Sequence, residues 1–182
     1  CFDPLQILAI AARSHRGIDV GTLVTEPIRR HPMTIAQSFV TLDHISRGHA
    51  ILGIGNGERE NVEPYGLPWN QQVARPEEAL TIIRLLWANE GRPVSYDGRF
   101  WKLRDAIFNL PLYQGRAPRI WIASHAPRML ALTGRFGGTL ITGFGAPLVA
   151  TGPFDAFLLT LESDLSTRYA MDFRRAAQRY CA

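Results

Sequence analysis

From Pro4 to about residue 142 the chain alternates helix-period segments with short apolar runs, and this alternation restricts the fold more than any single motif does. Residues 4–14, PLQILAIAARS, have helix-forming composition and spacing, with Pro4 suited to a first turn and Gly17 as the stop. IDVGTLVT, residues 18–25, predicts a buried strand broken by Glu26-Pro27. His31-Pro32 opens a second helix, apolar at Ile35, Phe39, Leu42 and Ile45 and closed by Arg47-Gly48. HAILGIG follows as another buried strand, and a third helix, Pro76 to Asn89, carries Leu80, Ile83, Leu86 and Trp87 on one face. Residues 92–104, RPVSYDGRFWKLR, break the rhythm, since Asp97-Gly98 between two strand-like runs predicts an inserted β-hairpin. RIWIA (119–123), a helix from Pro127 to about Thr133, and GTLIT (138–142) resume it. Such alternation implies a parallel sheet with crossover helices. A complete eight-fold barrel takes about 250 residues, so three or four strands make about half of one. The predicted class is α/β, a partial (β/α)8 TIM barrel with an inserted β-hairpin. Its expected domains are the partial barrel over 1–142 and a C-terminal tail over 143–182 that holds one helix.

Composition narrows the function classes. The chain has 182 residues, 46% hydrophobic and 20% charged, which is ordinary for a globular domain with its own core. No apolar run approaches the roughly 20 residues of a membrane span, and no signal-peptide pattern opens the chain. It begins at Cys1 rather than Met, which reads as a piece of a longer or processed protein. Cys1 and Cys181, one at each end, form no disulfide framework, so the expected compartment is the cytoplasm. A net charge of +4 raises the question of nucleic acid. The arginines are dispersed, however, and the pairs Arg29-Arg30 and Arg174-Arg175 are short, so no nucleic-acid partner is expected. Neither H-x-x-x-H nor C-x-x-C occurs, and no metal site is expected.

ILGIGNGEREN, residues 51–61, is the most suggestive loop. A dinucleotide fingerprint needs a third glycine where Glu58 stands, and a phosphate-binding P-loop needs a G-K-[ST] ending that is missing. The loop instead lies at the carboxyl end of a buried strand, the face on which barrel enzymes assemble their active sites. A carboxylate hemmed there by bare backbone can be partly desolvated and tuned for proton transfer. Equally, Glu58 can cap the turn or pair with Arg59. The same face takes Thr22-Leu23-Val24-Thr25 and, after the 119–123 strand, Ser124-His125-Ala126-Pro127. The latter run leads into a helix, so its N–H groups can meet a phosphate or Ser124 can be an ordinary cap. His125 has the strongest claim to function among five histidines.

These blocks resemble a known family. GTLVTEPIRRHPMTIAQSFVTLDHISRGHAILGIGNGERENVEPYGLPW, then VARPEEALTIIRLLW, then ASHAPRML and TGR, occur in this order and resemble the luciferase-like superfamily of flavin and deazaflavin oxidoreductases. The likeness covers residues 2 to about 138 and is strongest to reductases that use coenzyme F420, in particular the mycobacterial phthiodiolone dimycocerosate ketoreductase branch. It implies a luciferase-like TIM barrel with the cofactor at the carboxyl ends of the strands. Glu58 takes the place of the family's proton donor or stabiliser near the ring, and Asn61 that of a deazaflavin contact. Leu23 and Val24 fall where the family often has a cis peptide against the ring. Ser124, His125 and Ala126 fall on the phosphate-binding turn. The implied activity is hydride transfer from reduced F420 to a carbonyl, a small-molecule or lipid ketone, by an enzyme whose relatives are often homodimers.

The resemblance also implies elements that this sequence lacks. The family's first two strands, with an acidic residue and a histidine that serve catalysis, would precede Cys1, and the later cofactor-tail contacts would follow Gly138. Two alternatives therefore stand beside the ketoreductase reading. One is an FMN-dependent monooxygenase; the other is an inactive remnant of such an enzyme.

Overall fold

A computed structural model describes residues 3–123, 127–136 and 139–141. Two compact units divide the chain, Cys1–Ile120 and Trp121–Ala182. The expected tail from residue 143, and the boundary drawn before it, lie outside the described residues.

The first unit opens with helix α1, Pro4–Ser14. Asp3 caps it, accepting the Leu5 N–H at 3.0 Å, while its other carboxylate oxygen takes Arg30 Nη2 at 2.6 Å. That guanidinium, helped by the Leu5 amide, holds the Asp3 carboxyl below its usual range. Strand β1 is only Val20–Gly21, far shorter than the eight residues predicted. The ladder breaks at Thr22, the Leu23–Val24 peptide is cis, and parallel pairing resumes in a single bridge from Thr25 to Ile54.

Helix α2, Pro32–Ser46, starts where the His31-Pro32 signal predicts. His31 Nδ1 accepts the Met33 N–H at 3.1 Å. It buries Ile35, Ala36, Phe39, Val40 and Leu42, whereas Ile45, expected on the same face, stays exposed. Strand β2, Ala50–Ile54, is buried throughout and pairs in parallel with β1, Val20 to Ala50 and Gly21 to Ile51. The two chains approach so closely that a side chain at Gly53 is excluded: its Cβ would stand 1.8 Å from the Thr22 carbonyl oxygen. Thr22 Oγ1 donates to the Gly53 carbonyl at 2.7 Å and fixes that approach.

Helix α3, Ala74–Ala88, buries Leu80, Ile83, Leu86 and Trp87 as its periodicity predicts, with Ala79 and Ile82 beside them. The Trp87 indole N–H reaches the Ala36 carbonyl at 3.3 Å and ties α3 to α2. The predicted hairpin exists as antiparallel strands β3, Pro93–Asp97, and β4, Lys102–Ile107. It runs to Ile107 rather than 104, and Asp97 faces Lys102, so its loop is Gly98–Trp101 rather than a tight Asp-Gly turn. The reason lies in α3. Glu78, buried, accepts the backbone N–H groups of Arg99, Phe100 and Trp101 at 3.0, 2.9 and 2.9 Å. A carboxylate with three amides to bind favours the wider loop.

Strand β5, Arg119–Ala123, crosses the boundary between the units. In the second unit it pairs in parallel with β6, Thr139–Ile141, through helix α4, Pro127–Phe136. Helix α4 runs three residues past its predicted end and buries Met129, Leu132, Thr133 and Phe136. Each unit thus contains a strand–helix–strand crossover, the repeat of a β/α barrel. Among the described residues, no helix is long and apolar enough to cross a membrane.

At the amino ends of the strands in the first unit, Asp19 takes Arg119 on both carboxylate oxygens, at 2.5 and 2.9 Å, and His49 Nδ1 at 3.0 Å. These residues precede β1, open β5 and precede β2 respectively. Nearby, buried Asp43 accepts the Ala50 N–H at 3.0 Å.

Candidate active site

The carboxyl ends of β1 and β2 carry the sequence-predicted chemistry of the first unit. Where β1 ends, buried Thr22 gives way to Leu23, 73% exposed, and Val24, 36% exposed. Thr25 then turns the chain back into the sheet: its N–H donates to the Gly53 carbonyl at 2.8 Å, and its carbonyl accepts the Gly55 N–H at 2.9 Å. The Leu23–Val24 segment therefore lies directly beside the start of the glycine loop.

Beyond β2, the bare backbone of Gly55 to Gly57 leads to Glu58 and a 3-10 turn at Arg59–Asn61, followed by a second at Glu63–Tyr65. Val62, fully buried between the two turns, pins the loop to the core. Glu58 Oε2 accepts the side-chain N–H of Asn61 at 2.8 Å, and the Asn61 backbone N–H donates to the Glu58 carbonyl at 3.1 Å. The two residues singled out by the sequence are thus brought together. Arg59, the expected competitor, turns away to Glu63 at 2.6 Å. That ion pair holds the Arg59 guanidinium above its usual pKa. One expectation needs correction. Glu58 is exposed rather than desolvated, because alternating glycines remove the side chains that would have walled it in.

Three histidines have structural partners. His31 caps α2, with its ring edge-to-face on Trp101, and burial pushes its pKa down. His44 Nε2 meets the Pro111 carbonyl at 2.7 Å, and His49 meets Asp19. Ser124, His125 and Ala126 lie outside the described residues, immediately before α4.

Sequence reasoning missed Glu26, whose residue is only 4% exposed. Its carboxylate accepts the N–H groups of Ile28 at 2.6 Å and Arg29 at 3.1 Å and pairs with the Arg29 guanidinium. The available signal was its spacing, an acid two and three residues before amides that start a turn. In the sequence it reads only as a strand breaker.

The arrangement presents a carboxylate, an amide bonded to it, an exposed apolar pair and a stretch of backbone without side chains, all on one rim. Such a set suits a flat ring with polar edges and a proton to be moved at its margin.

Residues 1–152 match the family model described as luciferase-like monooxygenase. Over 136 residues the chain is 50% identical to a phthiodiolone/phenolphthiodiolone dimycocerosates ketoreductase of Mycobacterium sp. (strain JLS), covering 74% of this chain and 36% of that relative. Over 143 residues it is 38% identical to an F420-dependent glucose-6-phosphate dehydrogenase of Beutenbergia cavernae, covering 76% and 41% of the two chains. Among solved structures, an F420-dependent secondary alcohol dehydrogenase in complex with an F420-acetone adduct matches with a TM-score of 0.72. Its identity is 24%, over 87% of this chain and 49% of that one, a likeness that bears on the fold alone. The chain spans well under half the length of these curated relatives.

Proposed function

The chain belongs to the luciferase-like monooxygenase family, and from that premise we propose that it is part of an F420-dependent ketoreductase. Its fold is the partial luciferase-like TIM barrel. The observation that carries the reading is the Glu58–Asn61 pair at the carboxyl end of β2, beside the exposed Leu23–Val24 segment. The residues present fit a deazaflavin: an apolar surface for a ring face, a carboxylate and an amide for its polar edge, and glycine backbone that admits close approach.

Reduced F420, when bound, supplies a hydride to a substrate carbonyl carbon and so yields a secondary alcohol. Glu58 delivers the proton that the carbonyl oxygen acquires. Asn61 fixes the carboxylate by its 2.8 Å hydrogen bond and offers its remaining polar atoms to the ring. Leu23 and Val24 exclude water from one side of the ring. For the cofactor phosphate the proposal carries Ser124, His125 and Ala126 from the likeness of the ASHAPRML block to the family alone. The substrate class is a ketone, and the name of the Mycobacterium relative supports a lipid ketone. A homodimer is the assembly attached to this reading.

Fluorescence titration of the purified chain with F420 and with FMN, followed by light scattering, tests the proposal. Saturable F420 binding by a monodisperse protein is the expected result, with ketone reduction by reduced F420 as the next assay. Preference for FMN would move the chain to the flavin monooxygenases. Binding of neither would leave an inactive remnant.

A further inference from the structure

We propose that Glu26 is a positioning residue for Glu58, setting the height of the loop that carries it. The inference rests on the role given to Glu58 above. Burying a carboxylate is costly unless it is paired and hydrogen-bonded, and Glu26 meets that condition entirely through its own neighbours, Ile28 and Arg29. Capping the turn after β1 accounts for the carboxylate. It does not account for the stem, which lies under the glycine loop. A Cβ placed on Gly57 would stand 3.0 Å from Glu26 Cγ and 3.3 Å from its Cβ, with Val62 Cγ2 at 3.7 Å.

Gly57 also sits at φ +72°, a conformation that other L-residues rarely adopt. Its backbone therefore rests on a floor made by the Glu26 stem and Val62, and Glu58 is the next residue. Because Glu26 is held at its far end by two amides and a guanidinium, that floor cannot move aside as a free side chain would. The physical chain runs from the Ile28–Arg29 turn through Glu26 and Gly57 to Glu58, and from Glu58 to the Asn61 amide.

The test reads the Asn61 side-chain amide by nitrogen-15 NMR in the unliganded 182-residue chain, with Glu58→Ala as the reference for a broken pair. Glu26→Ala should move the Asn61 resonances to that reference while those of β2 and α2 keep their dispersion. Glu26→Gln, which keeps the stem, should leave them near their wild-type positions. In F420-loaded protein, Glu26→Ala should lower kcat on the order of 10²-fold, the cost of a small misplacement, with KM little changed. A folded Glu26→Ala chain with wild-type Asn61 resonances overturns the proposal, as does a Glu26→Gln chain that behaves like Glu26→Ala. Should Glu26→Ala fail to fold, Glu26→Asp shortens the stem and keeps the acid; it should shift the resonances, and wild-type positions overturn the inference. If the wild-type chain binds no F420, the ketoreductase reading falls, and the Asn61 resonances still decide whether Glu26 positions Glu58.

Discussion

Glu58 and Asn61 are three residues apart, and a single 3-10 turn is enough to bring carboxylate and amide to 2.8 Å. A local meeting of this kind is legible in a sequence, since it needs no knowledge of distant chain. Glu58→Gln keeps the shape and a hydrogen-bonding acceptor but removes the acid. Turnover of a complete F420-dependent relative carrying this loop should fall by about 10²–10⁴-fold, the usual worth of a positioned proton donor, while F420 affinity measured by fluorescence stays nearly the same. Unchanged turnover would remove Glu58 from the chemistry. Glu26 was not legible in this way. Its amide partners are local, but its contact with Gly57 joins residues 31 positions apart and exists only because β1 and β2 lie side by side.

Between elements, the same limit is seen in the hairpin. Asp97-Gly98 correctly marked a reversal of direction, yet local turn preference did not set the loop. Glu78, on the first turns of α3, competes for the amides of Arg99, Phe100 and Trp101 and wins. Arg75, from the same helix, adds its guanidinium over the Phe100 ring at 4.4 Å. Glu78→Gln weakens the acceptor and turns an amide N–H toward donors. It should cost about 1.5–3 kcal/mol, the range for hydrogen bonds to a charged group, in urea unfolding. Hydrogen exchange at residues 99–101 should accelerate while exchange in β2 stays slow. Equal acceleration in both would mean that the hairpin and the sheet open together. Helix signals fared better than strand signals. The caps at Asp3 and His31 and the apolar face of α3 are set within a few turns of the chain. Strand β1, by contrast, shrank to two residues, because its length depends on where β2 can pair with it.

Across the first unit as a whole, Asp19 joins residues at the starts of β1, β2 and β5 through Arg119 and His49. The Arg119 hydrogen bonds, with His49 contributing, hold the Asp19 carboxyl below its usual range. A depressed acid contributes stability above its unfolded pKa, about 3.9, and loses that contribution as pH falls through the lower folded value. Asp43 works in the opposite sense, since burial pushes its carboxyl up and favours the fold at low pH. Asp19→Asn should therefore be less stable than wild type at pH 7. With the Asp19 side chain 47% exposed, the loss should stay within about 1 kcal/mol. The gap should close as pH falls below the carboxylate range in denaturant titrations; a gap that persists in acid would show that Asp19 acts by shape rather than charge. The sequence by itself determined the alternation of helix and strand, the helix caps, and the delivery of Glu58 and Asn61 to a strand's carboxyl end. These follow from periodicity and from contacts a few residues long. Only the tertiary structure decided that Glu58 faces solvent, that Glu78 widens the hairpin loop and that Glu26 lies beneath Gly57. Which neighbours a side chain meets depends on packing between segments, and composition or spacing along the chain does not encode those distances.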